Sequence, residues 1–213
     1  PLKSEYILLK NALGRVLASD FKAPFSQPRF DNSAMDGYAV KWQDVREATT
    51  ETPEILMSIG TIPAGTNSEI YLEAGFCTQI MTGAPIPHGA NAVIMVEQTN
   101  GFDTVNGVHF YKAANSGQNI RCAGEEIRSG SILITSGVEI TPAELGVLAT
   151  FGQEKVKVIR QAKVAILSMG DELREPGEKL KSGEIFNSNQ AVLKALIEKT
   201  GAEIHLIQNI KDD

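Results

Sequence analysis

Apolar positions along this chain change rhythm several times. Near the N-terminus Tyr6-Ile7-Leu8-Leu9 reads as a short strand. Ala12-Leu13-Gly14-Arg15-Val16-Leu17-Ala18 then reads as a short helix, weakened by the ~1 kcal/mol that Gly14 costs inside it. Pro24 and Pro28 break the chain. From residue 25 to 127 the apolar runs are short: Ile55-Leu56-Met57, Phe76-Cys77-Thr78-Gln79-Ile80-Met81, Ala92-Val93-Ile94-Met95-Val96 and Val108-His109-Phe110-Tyr111, with glycine, proline, asparagine and threonine between them. Short strands punctuated by turn residues predict an all-β domain, a barrel or sandwich.

Residues 128–161 return to mixed structure. Gly130 and Gly137 flank a strand, Ser131-Ile132-Leu133-Ile134. Thr141-Pro142-Ala143-Glu144 has the form of a helix start: a threonine cap, proline at the first helical position and a glutamate three residues on. Leu145, Leu148 and Ala149 would form its apolar face, Gly152 its stop, and Val156-Lys157-Val158-Ile159 the following strand. After residue 162, Val164-Ala165-Ile166-Leu167 is nearly continuous in apolar character, the pattern of a strand buried on both faces. A helix from about Asn189 to Thr200, carrying Val192, Leu193, Leu196 and Ile197 inward, and a strand Glu203-Ile204-His205-Leu206-Ile207 complete a βαβ unit, hence the start of a parallel sheet. No internal repeat or low-complexity tract interrupts the pattern.

Composition narrows the class. The 213 residues allow one or two domains with a substantial core, and 42% hydrophobic and 22% charged residues are ordinary for a globular protein. A net charge of −6, with no Lys/Arg run, argues against a general nucleic-acid surface. No apolar stretch approaches the ~20 residues of a membrane span, and a cytoplasmic location is expected. Cys77 and Cys122 form no C-x-x-C pair, and His88, His109 and His205 stand at no ligand spacing with them, so reduced, structural thiols are expected rather than zinc. The chain opens at Pro1 and stops at Asp213 just after a strand, and the expectation is of a fragment.

The stretch Phe30-Asp31-Asn32-Ser33-Ala34-Met35-Asp36-Gly37-Tyr38-Ala39-Val40 packs two carboxylates, an amide, a hydroxyl and a glycine ahead of a short apolar strand. It reads as a polar hairpin tip or as a fixed cluster of oxygen ligands. Thr82-Gly83-Ala84-Pro85-Ile86-Pro87 is a loop stiffened by two prolines, with the Thr82 hydroxyl exposed; a plain rigid loop is the alternative. Glu97 ends the next strand, and Arg121, Gly124, Glu125, Glu126 and Ile127 form a mixed-charge turn whose plain reading is a local ion pair. In open parallel sheets ligands bind beyond the carboxyl ends of the strands. There the chain places Ser168-Met169-Gly170-Asp171-Glu172-Leu173, either a substrate loop or a turn with solvated acids. Asn187-Ser188-Asn189 opens the second helix, where free N–H groups can receive an anion or the side chains can simply cap it. P-loop, nucleophile-elbow and dinucleotide fingerprints are absent. Acids and hydroxyls on turns suit Mg²⁺ and an oxyanion or phosphate-bearing ligand, the ion or backbone nests offsetting repulsion between an acidic protein and an anion.

Taken in order, these segments resemble the molybdopterin molybdenumtransferase family, MoeA and the gephyrin E domain. Ala12 to Ala18 looks like its A-L-G-R-x-L-A segment, and Phe30 to Val40 like its F-D-N-S-A-M-D-G-Y-A-V signature. Thr82 to Pro87 with Glu97 looks like T-G-A-P-x-P followed by A-x-V-x-x-E. Gly124 to Ile127 is similar to G-E-D-I, and Gly170 to Leu173 to G-D-E-L.

The resemblance implies a multidomain protein combining α/β and all-β parts. A small mixed linker domain (1–24 and 128–161) would carry an inserted β-barrel-like domain (25–127). The opening of a parallel-sheet α/β, molybdopterin-binding domain (162–213) would follow. It further implies Mg²⁺-dependent insertion of molybdenum from molybdate into adenylylated molybdopterin, with release of AMP, by a homodimer whose site joins the β domain of one copy to the α/β domain of the other. The upstream molybdopterin adenylyltransferase is an implied partner. The positions carried over are Asp36, Thr82, Glu172 and Asp212 as catalytic residues, Ser168, Gly170, Asp171, Ser188 and Asn189 toward substrate, and Glu172, Asp212 and Glu126 toward metal. Glu126 stands where the family carries Asp, Met169 where it carries Thr, and Asn187 where it carries Asp. The chain alone is expected to be inactive. A non-catalytic scaffold of the gephyrin type is the competing class, and an adenylyltransferase relationship fits only residues 162–213.

Overall fold

Tyr38-Ala39-Val40 is apolar at every position, and a strand reads that way only when both of its faces are covered. In the computed structural model, which describes residues 2–66, 69–102 and 105–210, this is what happens. The strands are β1 (Ser4–Leu8), β2 (Phe21–Lys22), β3 (Asn32–Ser33), β4 (Gly37–Val40), β5 (Glu54–Ile62), β6 (Phe76–Ile80), β7 (Ala92–Met95), β8 (Val108–Phe110), β9 (Ile120–Arg121), β10 (Ile132–Ile134), β11 (Lys155–Ile159), β12 (Lys163–Met169), β13 (Leu173–Arg174), β14 (Ile185–Phe186) and β15 (Glu203–Ile210). Two α-helices, α1 (Pro142–Thr150) and α2 (Ser188–Lys199), complete the regular structure of the described residues, with three short 3-10 turns.

The chain forms two compact units, Pro1–Lys22 with Ile132–Asp213, and Ala23–Ser131. The second unit is built on a five-stranded half-barrel sheet in the order β7-β4-β6-β5-β8, antiparallel except for the β5–β6 pair. Side chains alternate across a strand. Tyr38 and Val40 of β4 accordingly join one buried cluster with Ala92, Ile94, Leu56, Val108 and Phe110, while Ala39 joins another with Val93, Ile80, Ala84 and Ile62. Tyr38 stacks edge-on against Phe110 at 5.9 Å and donates its hydroxyl to Gly101 O at 3.0 Å. Gly37 is dictated by closeness, since a Cβ there would overlap the Ile94 carbonyl oxygen and stand 3.0 Å from the Met95 Cα.

In the first unit β1 pairs with β11 and β2 with β10, both antiparallel, around Ala12, Leu17, Ile134, Ile140, Leu148, Val156 and Val158. The helix expected over residues 12–18 is not formed. A 3-10 turn at Leu9–Asn11 gives way to Gly14 at φ +74°, and Val16 and Leu17 bridge to Glu139 and Val158. Gly14 takes the left-handed conformation that ends a helical turn, so the apolar residues serve extended pairing instead. Helix α1 begins as its sequence dictates: the Thr141 side chain accepts from Ala143 N, and Glu144 accepts from Thr141 N at 3.0 Å. Its buried side centres on Leu148 with Leu145 and Val147; Ala149 is exposed, because the helix touches its neighbours along one narrow line.

Strands β12 and β15 pair in parallel across α2, with Ser168 opposite Asn209 and Met169 opposite Ile210. Burial here departs from the sequence pattern. Of β12 only Ile166 is buried, and on α2 Val192, Leu193 and Leu196 are exposed while Ile197 is half-buried. A two-stranded sheet offers too little surface to cover a twelve-residue helix. Neither cysteine is bridged; Cys77 is buried, with its thiol pushed up to about 12 by desolvation, whereas Cys122 is exposed and fills no core. No described helix is long and apolar enough to cross a membrane.

Candidate functional site

The Phe30–Asp36 stretch folds onto two other loops. Ser33 N donates to Ala84 O, Gly83 N to Ser33 O, Ala34 N to Asn119 O, and Ala123 N to the Asp31 carboxylate at 2.7 Å. Gly124 N and Glu126 N reach back to Pro28 O and Gln27 O. Three segments distant in sequence, around residues 33, 83 and 122, therefore meet at one place.

Of the two readings of this stretch, polar hairpin tip or fixed cluster of oxygen ligands, most of its members fit the first. Ser33 is fully buried, and its hydroxyl exchanges bonds with Met35 O and Met35 N, a local turn. Asn32 is buried and its amide donates to Phe30 O. Asp31 is occupied by Ala123 N. Only Asp36 presents a carboxylate tied to a second predicted residue: Oδ1 accepts from Thr82 N at 2.7 Å and Thr82 Oγ1 at 2.8 Å. These bonds, the backbone donor first and the hydroxyl second, hold its pKa below the ordinary carboxylate value against a small opposing desolvation. Asp36 is thus an ionised, exposed acid fixed at the head of a strand buried on both faces. Oδ2 has no protein donor among the described residues.

Glu126 is exposed, held through its backbone, and no described hydrogen bond or ion pair joins its carboxylate to Asp36 or Thr82. Glu97 lies in the 3-10 turn Val96–Gln98 just past β7, not at a strand end, and is exposed; Arg121 is exposed on β9. Asn119, missed from sequence, adopts φ +55°, accepts Ala34 N and donates to Val93 O, locking two of the loops. An asparagine following Ser116-Gly117-Gln118 was the available signal.

In the other unit Gly170, at φ +144°, ends β12 with its N–H on Ile210 O. A Cβ at Gly170 would stand 2.5 Å from Glu172 Oε2, so the Glu172 carboxylate lies against the Gly170 backbone. Asp171 and Glu172 are both exposed. Asn187, 4% exposed, caps α2 through its side-chain oxygen on Gln190 N, and its amide donates to Asn209 Oδ1 and Gln190 Oε1. Ser168 Oγ approaches Gln190 Oε1 at 3.4 Å. Ser188 and Asn189 are the exposed first residues of α2. Asp212 lies outside the described residues. Sequence reading missed Gln190, Asn209 and Glu175, which complete this network and carry no local signal in the sequence. Among the described residues no group of three His, Cys, Asp or Glu side chains gathers as a metal site.

Comparison with known proteins matches residues 1–152 to the family described as the MoeA N-terminal region, domains I and II. A molybdopterin molybdenumtransferase 2 of Mycobacterium tuberculosis is 40% identical over 205 residues, 96% of this chain and 50% of that protein. A molybdopterin molybdenumtransferase of Haemophilus influenzae is 39% identical over 204 residues, 96% of this chain and 49% of that protein. A crystal structure of a molybdopterin biosynthesis MoeA protein from Pyrococcus horikoshii superposes with a TM-score of 0.89 at 35% identity, covering 99% of this chain and 56% of that one. The chain thus spans about half the length of the curated relatives it matches.

Proposed function

The chain belongs to the MoeA family, and from that premise we propose that it supplies part of a molybdopterin molybdenumtransferase acting in molybdenum cofactor biosynthesis. The substrates in this reading are adenylylated molybdopterin and molybdate, and the phosphoanhydride is cleaved with release of AMP. The observation that carries the reading is the Asp36–Thr82 pair: the family's signature acid is ionised, aligned by two donors and fixed on a doubly buried strand. Aligned, fixed groups are what stabilise a charged transition state without reorganisation.

Asp36 Oδ2 accepts a proton or a hydrogen bond at the reacting group, while Thr82 keeps the carboxylate ionised and oriented. Glu172, lying over Gly170, is the acid of the second loop. Ser168, Gly170, Asp171, Ser188 and Asn189 border the substrate there. Mg²⁺ keeps most of its waters and binds proteins through one or two carboxylates plus substrate phosphates. Among the described residues no metal cage is built; Glu172, Asp212 and Glu126 would hold such an ion together with the substrate, and it would supply charge neutralisation at the phosphates. The proposed assembly is a homodimer in which Asp36 of one copy serves the Glu172 loop of the other.

The test mixes two inactive variants of a protein carrying this chain at its full length, Asp36→Asn and Glu172→Gln, and follows AMP release and molybdenum cofactor formation. Each alone should lose insertion; the mixture should regain about one functional site per heterodimer. Absence of rescue would dismiss the shared site, and full activity of both variants would dismiss the reading.

A further inference from the structure

The segment between the Val96–Gln98 turn and β8 contains two Asn-Gly steps, Asn100-Gly101 and Asn106-Gly107. An asparagine followed by glycine can close on itself, because no Cβ shields the following backbone nitrogen. That nitrogen attacks the side-chain carbonyl carbon, and the side-chain nitrogen leaves as ammonia. The surroundings of each step decide whether it reacts.

Asn100-Gly101 is held shut. Asn100 Oδ1 accepts His109 N at 2.9 Å, and Asn100 Nδ2 donates to Gly107 O at 3.3 Å. Gly101 N, the atom that would attack, donates to Thr99 Oγ1 at 3.1 Å. Thr99 is buried, and its own hydroxyl donates to Val96 O. Asn106-Gly107 has none of these ties. The Asn106 side chain is exposed, and neither its amide nor Gly107 N makes a hydrogen bond among the described residues. A third step of similar chemistry, Asp36-Gly37, is closed by its setting. Gly37 is paired in β4 on both sides, and the Asp36 carboxylate is held ionised, whereas ring closure needs a neutral carboxyl that can expel water.

We propose that Asn106-Gly107 is a self-modifying site, at which Gly107 N closes on Asn106 to a succinimide that water then opens to aspartate and isoaspartate. One C–N bond forms and one breaks, and ammonia leaves with the proton of the Gly107 amide. Water then adds across one imide C–N bond, and nothing is oxidised or reduced. The product carries one further negative charge. Its isoaspartyl form routes the main chain through the side-chain carbons, lengthening the backbone by one bonded atom just before Val108. The fold leaves no slack to absorb it. Gly107 lies so near β5 that a Cβ there would stand 2.8 Å from Ile55 Cγ2 and 3.3 Å from Leu56 O. Val108 and Phe110, fully buried, are pinned opposite Leu56 and Glu54. Conversion therefore loosens β8 on the half-barrel core.

The experiment ages the full chain at mildly alkaline pH and follows it by ion exchange, peptide mass mapping and an isoaspartate assay. An acidic form should grow in, with Asn106 converted to a mixture that includes isoaspartate. Asn106 should react roughly 10- to 100-fold faster than Asn100, which must first give up hydrogen bonds of ordinary strength. In denaturing urea the two steps should react at similar rates, because those bonds are gone. Asn106→Gln, whose ring would be one atom larger, should stay in a single charge form, and unchanged fluorescence of Trp42 on the half-barrel core certifies its fold. The purified acidic form should unfold at a lower urea concentration than the fresh chain. Equal rates at Asn100 and Asn106 in the folded chain overturn the proposal, as does an Asn106 that reacts only in urea. Aspartate without isoaspartate overturns the ring route. An acidic form with an unmoved urea midpoint overturns the loosening of β8.

Discussion

Two acids of this chain sit at strand ends in settings that could hardly differ more. Asp36 heads β4, whose residues are covered on both faces by the two clusters of the half-barrel unit. Glu172 follows β12, half of a two-stranded sheet in which Ile166 alone is buried and Leu167 and Met169 are exposed. The first acid borrows its rigidity from a close-packed interior, whereas the second is exposed, with its carboxylate lying against Gly170. Packing transmits strain over the whole unit, so damage near Asp36 should register as lost stability, whereas damage near Glu172 should register as lost function in a protein that still folds.

The largest test of that contrast compares two apolar truncations. Phe110→Ala empties a fully buried ring site against Tyr38 and should cost about 3–5 kcal/mol. Leu196→Ala on α2 removes a side chain that is 55% exposed and should cost within about 0.5 kcal/mol. The single tryptophan, Trp42, packs on the half-barrel core, so its fluorescence in a urea melt reports the first variant. Ellipticity at 222 nm reports the second, because α1 and α2 both belong to the other unit. Equal shifts in the two melts would erase the distinction.

A pair of glycines sharpens it. Gly37→Ala drives a methyl into the Ile94 carbonyl, backbone that cannot swing aside, and should cost about 3 kcal/mol. Gly146→Ala, in mid-α1 with nothing within 4 Å of the new Cβ, should gain about 0.5–1 kcal/mol from helix propensity. Next in size, Thr141→Ala removes the α1 cap and should cost about 1 kcal/mol in the 222 nm melt. A loss below a few tenths would mean that Glu144 holds the helix start unaided.

What could be read from sequence followed the same divide. Strands β4, β6 and β7 and the start of α1 announce themselves locally, through continuous apolar residues between turns and through a cap, a proline and a glutamate at fixed offsets. The Ala12–Ala18 helix was misread because Gly14 turns the chain over, and the pairing of Val16 and Leu17 is with residues more than a hundred positions away. The apolar stripe of α2 was legible as a stripe, but its burial depends on how much sheet lies beneath it. At the site, Asp36 and Thr82 were legible as types. The use of Asp31 as a backbone brace was not, since its partner Ala123 arrives only once distant loops meet, while Asn32 and Ser33 turn onto Phe30 and Met35 within the stretch itself. Glu175, Gln190 and Asn209 were invisible for the same reason: each is ordinary until the others arrive.

The smallest effect is the most specific to Asp36. Thr82→Val keeps the side chain's shape and the backbone donor but deletes the hydroxyl bond at 2.8 Å. The Asp36 carboxyl, followed by ¹³C NMR, should then titrate at a higher pH than in the unmodified chain. It should stop short of the ordinary carboxylate value, because the Thr82 N–H, the larger cause of the depression, is retained. The sign of the linked stability follows. A group whose pKa is lowered by folding contributes stability above its unfolded value and loses it as pH falls through the folded one. The difference between the chain and its Thr82→Val variant should therefore be full at neutral pH and shrink to nothing in acid, once Asp36 is protonated in both. An Asp36 midpoint that does not move would show that the hydroxyl merely accompanies the carboxylate. The fixed acid at the head of β4 would then owe its state to the backbone alone.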